Sequence, residues 1–211
     1  MKLYLNDASS ASARVRIALA LKGLAVETRQ VDIFGAEAES RQAAYRDINP
    51  QGLVPALLTD GGVLLIQSLA IVEYLDELHP DPPLLPRRIE DRARARAIVL
   101  AIAAEIHALV PPRVGLYLAE RFAADGEAFG AWNRHWIETG LDAVDRLLAG
   151  HRAGCFAVSD TPTIADIFLY PQAVGARRLG FDLSRWPAIA GVIVELDKVA
   201  AFTENAPAAR R

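Results

Sequence analysis

Three short stretches carry residues whose types and spacing could do chemistry. In "NDASSASARVRIAL" (6–19) three serines, Ser9, Ser10 and Ser12, crowd the junction between an apolar strand signal and a helix signal. A hydroxyl at a helix start can donate to an anion held there, and the unpaired amides of the first turn add to the attraction. Thiolate is a strong candidate anion. A thiol of ordinary pKa, about 8.5, is mostly protonated at neutral pH, and hydrogen bonds to its charged form lower that value. A cluster of this kind also serves as a plain N-cap. In "NPQGLVPAL" (49–57), Pro55 either opens an edge strand in trans or stands cis. The cis form would turn the Val54 N–H and C=O outward, where an extended peptide ligand can pair as an added strand. In "IQSLAIVEYLDE" (66–77) the polar pair Gln67-Ser68 precedes a helix, so Ser68 is a cap that can also seat a carboxylate.

The elements that must position these residues follow from periodicity and breakers. "KLYL" (2–5) is a short strand, and 12–23 a helix stopped by Gly23. A strand lies within 25–33, and 37–48 reads as a helix ended by Asn49-Pro50. "PALLT" (55–59) and "VLLI" (63–66) flank the turn Asp60-Gly61-Gly62, and 68–80 is a helix. The order β-α-β-α-β-β-α implies a parallel crossover followed by an antiparallel hairpin, a mixed sheet with helices packed on it. "PDPPLLP" (80–86) is a stiff, proline-rich connection. The expected division is a domain over 1–80, a linker over 81–87 and an all-helical domain over 88–211.

Within the helical part, runs at 88–109, 113–124, 127–150, 163–180 and 186–202 read as helices, with Pro111-Pro112 as a break. Thr163-Ile164-Ala165-Asp166 has the pattern of a capping box and reads as structural. Trp132 and Trp136, four apart, read as core or pocket wall. The charged run 87–97 reads as a solvated or dimer-facing helix surface, and the tail "NAPAARR" as frayed.

Composition excludes several classes of function. The chain has 211 residues, 52% of them hydrophobic, which is ample for packed cores. A net charge of -3 argues against nucleic-acid binding. Nothing approaches the roughly 20 apolar residues of a membrane span, and "MKLYLNDASS" lacks a signal-peptide core. The single cysteine, Cys155, rules out an internal disulfide and suits a reducing, cytoplasmic setting. His79, His135 and His151 show no metal-ligand spacing, so no metal is expected.

Taken together, "SSASARVRIALALKG" (9–23), "NPQGLVPAL" (49–57), "IQSLAIVEYLDE" (66–77) and "DTPTIADIFLYPQ" (160–172) resemble the glutathione transferases across nearly the whole chain. They look most like the zeta class and its bacterial maleylpyruvate and maleylacetoacetate isomerases. Ser9, Ser10, Arg14, Arg16 and Ile17 match the zeta signature at the first helix. The resemblance implies a thioredoxin-like N-terminal domain, an all-α C-terminal domain, glutathione as co-substrate and a homodimer. It implies Ser9 on the glutathione sulfur, with Ser10 as helper or rival and Ser12 beside them. It implies Val54 paired with the cysteinyl unit next to a cis Pro55. Gln67 and Ser68 would hold the γ-glutamyl end, with Gln51, Ser40 and His107 as further glutathione contacts. Ala8, Ala13, Pro112, Arg113 and Arg177 would line the electrophile pocket.

The departures bear on the reaction. Ala11 replaces the zeta cysteine, which excludes thiol exchange at that position. Ala8 stands where isomerase relatives often carry arginine, and "LVPPRVG" (109–115) replaces a polar stretch. A dicarboxylate wants two cationic anchors, preferably bidentate arginines. The first reading is therefore a transferase that activates glutathione as a thiolate for attack on a small electrophile. The alternatives are a glutathione-dependent cis–trans isomerase and a non-catalytic glutathione- or protein-binding member of the fold.

Overall fold

β1 (Lys2–Leu5) lies at the centre of a four-stranded sheet in the order β2-β1-β3-β4. It runs parallel to β2 (Glu27–Gln30) and antiparallel to β3 (Ala56–Leu58), and β3 pairs antiparallel with β4 (Leu64–Ile66). The fold is the expected one, a small mixed sheet with helices followed by a helical domain. The computed structural model describes residues 1–150 and 154–209. His151, one of the histidines considered for metal binding, lies outside the described residues. β1 is apolar and buried, as a central strand must be, whereas β2, with the sequence ETRQ, is a polar edge.

α1 (Ser10–Leu21) and α3 (Ser68–Leu78) pack on each other, with α2 (Ala43–Arg46) in the loop between β2 and β3. The helix expected over 37–48 is split. The Ser40 N–H bonds Asp32 O at 2.9 Å and Gln42 takes an extended backbone, so a single 3-10 turn (Glu39–Arg41) precedes the short α2. The buried ammonium of Lys22, at the end of α1, ties α1 to α3. It donates to Asp76 Oδ1 at 2.5 Å, His79 O at 2.6 Å and Pro82 O at 2.5 Å.

The chain divides into two compact units, Met1–Leu84 with the residues from Ala200 onward, and Leu85–Val199. The far end does not follow expectation. The described residues after Val199 group with the first unit. α9 (Ala200–Thr203) lies against α1 with Phe202 buried, and residues 207–208 are anchored, since Pro207 is buried and Ala208 N–H bonds Asp7 O at 2.7 Å. An apolar anchor and a backbone bond hold what polarity alone marks as frayed.

The described elements of the second unit are helices, including α4 (Ile89–Leu100), α5 (Pro112–Phe122), α6 (Gly126–Ala149), α7 (Ile164–Arg178) and α8 (Pro187–Leu196). The run expected to be one helix to residue 109 becomes π-helical over Ala101–Ile106, where His107 N–H reaches Ile102 O at 2.8 Å. This wide turn meets Gly140 of α6, where an added Cβ would lie 2.2 Å from Ile106 Cγ1. α7 carries Pro171 in its interior and starts at a capping box formed by Thr163 and Asp166.

Candidate functional site

The strand register gathers three of the singled-out stretches at one end of the sheet. Tyr4 pairs with Ala56, and Ala56 with Ile66. Extending those ladders by two residues brings the loop after β1, the residues Val54-Pro55 before β3 and Gln67-Ser68 after β4 side by side. This is the carboxyl end of β1, where ligands bind in open α/β sheets.

Ser9 caps α1. Its Oγ accepts from Ser12 N–H at 3.2 Å, which leaves the hydroxyl proton available to give away. Its own N–H is used, bonding Asn6 O at 3.0 Å, while the Ser10 and Ala11 amides make no hydrogen bond among the described residues. Ser9 and Ser10 both reach the surface. Ser12 does not. It is 0% exposed, its Oγ accepts from Asn6 N–H at 3.3 Å, and it is structural, contrary to its expected part in ligand contact.

α3 begins differently. Gln67 has φ 70°, the left-handed region that disfavours a residue with a side chain, and its side chain does not cap the helix. The amides of Ser68, Leu69 and Ala70 carry no hydrogen bond among the described residues, so the positive end of the helix is left open. Beneath it, Arg14 of α1, fully buried, donates from Nη1 to Ser68 Oγ at 3.3 Å. Ser68 therefore keeps its own proton for an outside acceptor. Burial pulls the Arg14 guanidinium down to about 9, still cationic at neutral pH. From the sequence Arg14 matches the zeta signature but has no place among the expected site residues. The available signal was an arginine among Ala13, Val15, Ile17 and Ala18, on a helix face that is otherwise apolar.

The Val54–Pro55 bond is cis, and the sheet ladder ends at Ala56, short of the Val54 N–H and C=O. The loop before it is fixed by Leu53 O, which accepts from Tyr45 Oη at 2.9 Å and from Asn49 Nδ2 at 2.7 Å. Burial pushes the Tyr45 phenol up to about 12, so it remains a neutral donor. Gln51 Oε1 accepts from Gln67 Nε2 at 2.8 Å, which links this loop to the start of α3. Ser40 is 3% exposed, buried under the same loop, so its side chain offers little to a ligand, contrary to expectation. Its carbonyl sets a steric limit. Gly52 has φ +61° and an added Cβ would lie 2.6 Å from Ser40 O, a backbone atom. Gly52→Ala is therefore expected to destabilise the fold by about 2–3 kcal/mol, from the left-handed penalty plus the displaced loop. Thermal unfolding should show it as a Tm drop of roughly 4–12 °C. An unchanged Tm would mean that the loop relaxes freely.

Ala8 and Ala13 belong to the first unit, Ala13 within the buried face of α1. His107, Pro112, Arg113 and Arg177 belong to the second. His107 closes the π-helical turn, and Pro112 opens α5. Arg113 is exposed and makes no ion pair among the described residues. Arg177 Nη1 faces Asp197 Oδ2 at 3.4 Å, and Asp197 also accepts from Tyr170 Oη at 2.8 Å. One of the expected substrate cations thus already has a carboxylate partner. Trp132 and Trp136 meet edge to face, with ring centroids 5.7 Å apart, and Trp132 Nε1 donates to Leu109 O at 2.8 Å. Among the described residues no group of three or more His, Cys, Asp or Glu could hold a metal, and no helix is long and apolar enough to cross a membrane.

The chain thus joins a thioredoxin-like sheet, with a serine-capped α1, a cis proline and an open α3 start, to a helical domain. The sequence models of the glutathione S-transferase N-terminal domain and C-terminal domain match residues 3–83 and 92–195, and the chain belongs to this family. It is 42% identical over 211 residues to maleylpyruvate isomerase of a Ralstonia species, covering 100% of this chain and 98% of that protein. It is 43% identical over 208 residues to maleylacetoacetate isomerase of Pseudomonas aeruginosa, covering 99% and 96%. A holo structure of maleyl pyruvate isomerase, described as a bacterial zeta-class glutathione S-transferase, superposes with a TM-score of 0.92 at 43% identity, covering 100% of this chain and 98% of that one. Maleylacetoacetate isomerase from Anaeromyxobacter dehalogenans, with dicarboxyethyl glutathione and citrate bound, does so with a TM-score of 0.84 at 36% identity, covering 98% and 94%.

Proposed function

We propose that the chain is a glutathione-dependent cis–trans isomerase acting on a small cis-unsaturated acid. The similarity of its whole length to maleylpyruvate and maleylacetoacetate isomerases carries this reading. It reverses the order read from the sequence, which put conjugation first because Ala8 and Pro111-Pro112 replace polar groups. Glutathione is the co-substrate. Its γ-glutamyl carboxylate seats on the open amides of Ser68 and its neighbours with Gln67 alongside. Its cysteinyl backbone pairs with Val54, and its sulfur takes the Ser9 hydroxyl proton as a hydrogen bond.

The thiolate adds to one carbon of the conjugated cis double bond, the charge moves onto the substrate carbonyl, and the resulting single bond rotates. The returning electron pair expels the thiolate and leaves the trans isomer. Nothing is consumed. The protein lowers the thiol pKa and holds the two reactants close. Arg113, with no ion pair among the described residues, is the cation left for a substrate carboxylate, whereas Arg177 would have to share its guanidinium with Asp197.

With maleylacetone and glutathione, the expected result is absorbance loss from isomerisation with the free thiol titre unchanged. Glutathione consumed in step with product would overturn the isomerase in favour of conjugation. An absence of glutathione binding by calorimetry at millimolar concentration would leave the non-catalytic reading. Homodimerisation belongs to the same proposal, and light scattering at the monomer mass of 22.9 kDa would refute it.

A further inference from the structure

The loop that delivers Ser9 is held from two directions. Locally, Asn6 Nδ2 donates to Val31 O at 2.9 Å and Asn6 Oδ1 accepts Ala8 N–H at 3.0 Å. From far along the chain, Asp7 is held at both ends of its residue. Its Oδ1 pairs with Arg16 Nη1, and its Oδ2 accepts from Gln30 Nε2 at 2.9 Å. Its carbonyl accepts Ala208 N–H at 2.7 Å and faces Arg16 Nη2 at 3.5 Å. The same Nη2 donates to Asn205 O and Ala206 O, each at 3.1 Å. One guanidinium thus bridges the serine loop and two carbonyls that lie 189 and 190 positions further on.

We infer that Arg16 is a positioning residue for the serine loop, and that segment 205–208 works with it as a clasp that fixes Asp7-Ala8 and so the place of the Ser9 hydroxyl. The inference rests on the reading of Ser9 as the thiol donor. An exposed Asp–Arg pair contributes little to stability by itself. A planar fork that engages a carboxylate and two fixed carbonyls sets position far better than a single point charge. Position is what a hydrogen-bond donor to a reacting atom needs, because misplacement by a fraction of an ångström weakens the bond at the moment of reaction. The clasp also explains why the end of the chain joins the first unit. Buried Phe202 and Pro207 seat the segment whose carbonyls Arg16 then reads.

The test compares the full chain with a chain ending at Glu204, with Arg16→Gln and Arg16→Lys, and with Ser9→Gly as control. Ultraviolet titration of bound glutathione should show the thiol pKa raised by about half a unit in the shortened chain and in Arg16→Gln. The corresponding fall in kcat/KM is about threefold below the thiol pKa and vanishes above it. Arg16→Lys, which keeps the charge without the fork, should fall between. Hydrogen exchange of the Ala8 and Ser9 amides, measured without glutathione, should quicken about tenfold as the loop opens locally.

A lower Tm with unchanged thiol titration and unchanged exchange would reduce the clasp to a structural tie and overturn the inference. If the shortened chain fails to fold, the Arg16→Lys titration and exchange decide. The control separates the two readings. A Ser9→Gly shift without a shift in the clasp variants sinks the clasp alone, whereas a Ser9→Gly chain that titrates like the parent sinks the reading of Ser9.

Discussion

Ser9→Ala is expected to raise the pH at which bound glutathione ionises and to cut kcat/KM below neutral pH about ten- to a hundredfold. One charge-assisted hydrogen bond to the thiolate, about 1.5–3 kcal/mol, accounts for that range. Ser9 has a second duty that this substitution also removes. Its Oγ accepts Ser12 N–H and caps α1, so alanine should cost about 1 kcal/mol of stability as well. The two effects separate in Ser9→Gly, because glycine at an N-cap costs only a few tenths of a kcal/mol. That variant should keep the parent Tm and still lose thiol activation. Ser10→Ala removes a hydroxyl from the first helical position and leaves the cap intact, so its titration should match the parent. A shifted titration in Ser10→Ala with a normal one in Ser9→Gly would transfer the donor role to Ser10.

Much of this arrangement could be read from the chain because its signals are local. A turn at Asp60-Gly61-Gly62 between two apolar runs specifies the β3–β4 hairpin within a dozen residues. The polar pair before an amphipathic helix marks the start of α3. The proline at the head of β3 left two backbone forms open, and the structure has the cis form. What stayed hidden depends on contacts between distant residues. Ser12 looks like its neighbours Ser9 and Ser10, yet helical geometry turns it inward onto Asn6. Ser40 is polar and still buried, because Gly52 brings a second loop over its carbonyl. No periodicity announces the π-helical turn at Ala101–Ile106, which accompanies a glycine 34 or more positions away on α6. The segment 205–208 carries no helix or strand signal, and contacts with Arg16 of α1 and with Asp7 hold it. The functional order changed for a related reason. Lost cations at position 8 and in 109–115 are local facts that argue against a dicarboxylate, whereas similarity to isomerases extends over the whole chain and outweighs them.

The capping box at the head of α7 carries the largest expected effect on stability. Asp166 is 0% exposed and accepts three hydrogen bonds, from Ala157 N–H at 2.8 Å, Thr163 N–H at 2.8 Å and Thr163 Oγ1 at 2.9 Å. Asp166→Ala strands those donors in a buried site and unties the 156–163 loop from the helix, a loss of about 3–5 kcal/mol. Urea denaturation should show it as a lower midpoint at unchanged slope. The same carboxyl has a pH signature. Burial pushes it up to about 6, while hydrogen bonds from Ala157, from Thr163 and from its own backbone amide pull it down. A folded-state pKa above the unfolded one means that the proton's contribution is fully present below about 3.9 and is lost as pH rises through about 6. Asp166→Asn carries no such proton. The stability of the parent relative to Asp166→Asn should therefore fall by on the order of 2–3 kcal/mol between pH 4 and pH 7. A gap that did not change with pH would mean that the donors hold Asp166 ionised throughout. Its part in starting α7 would then be that of a fixed buried charge with no titrating proton.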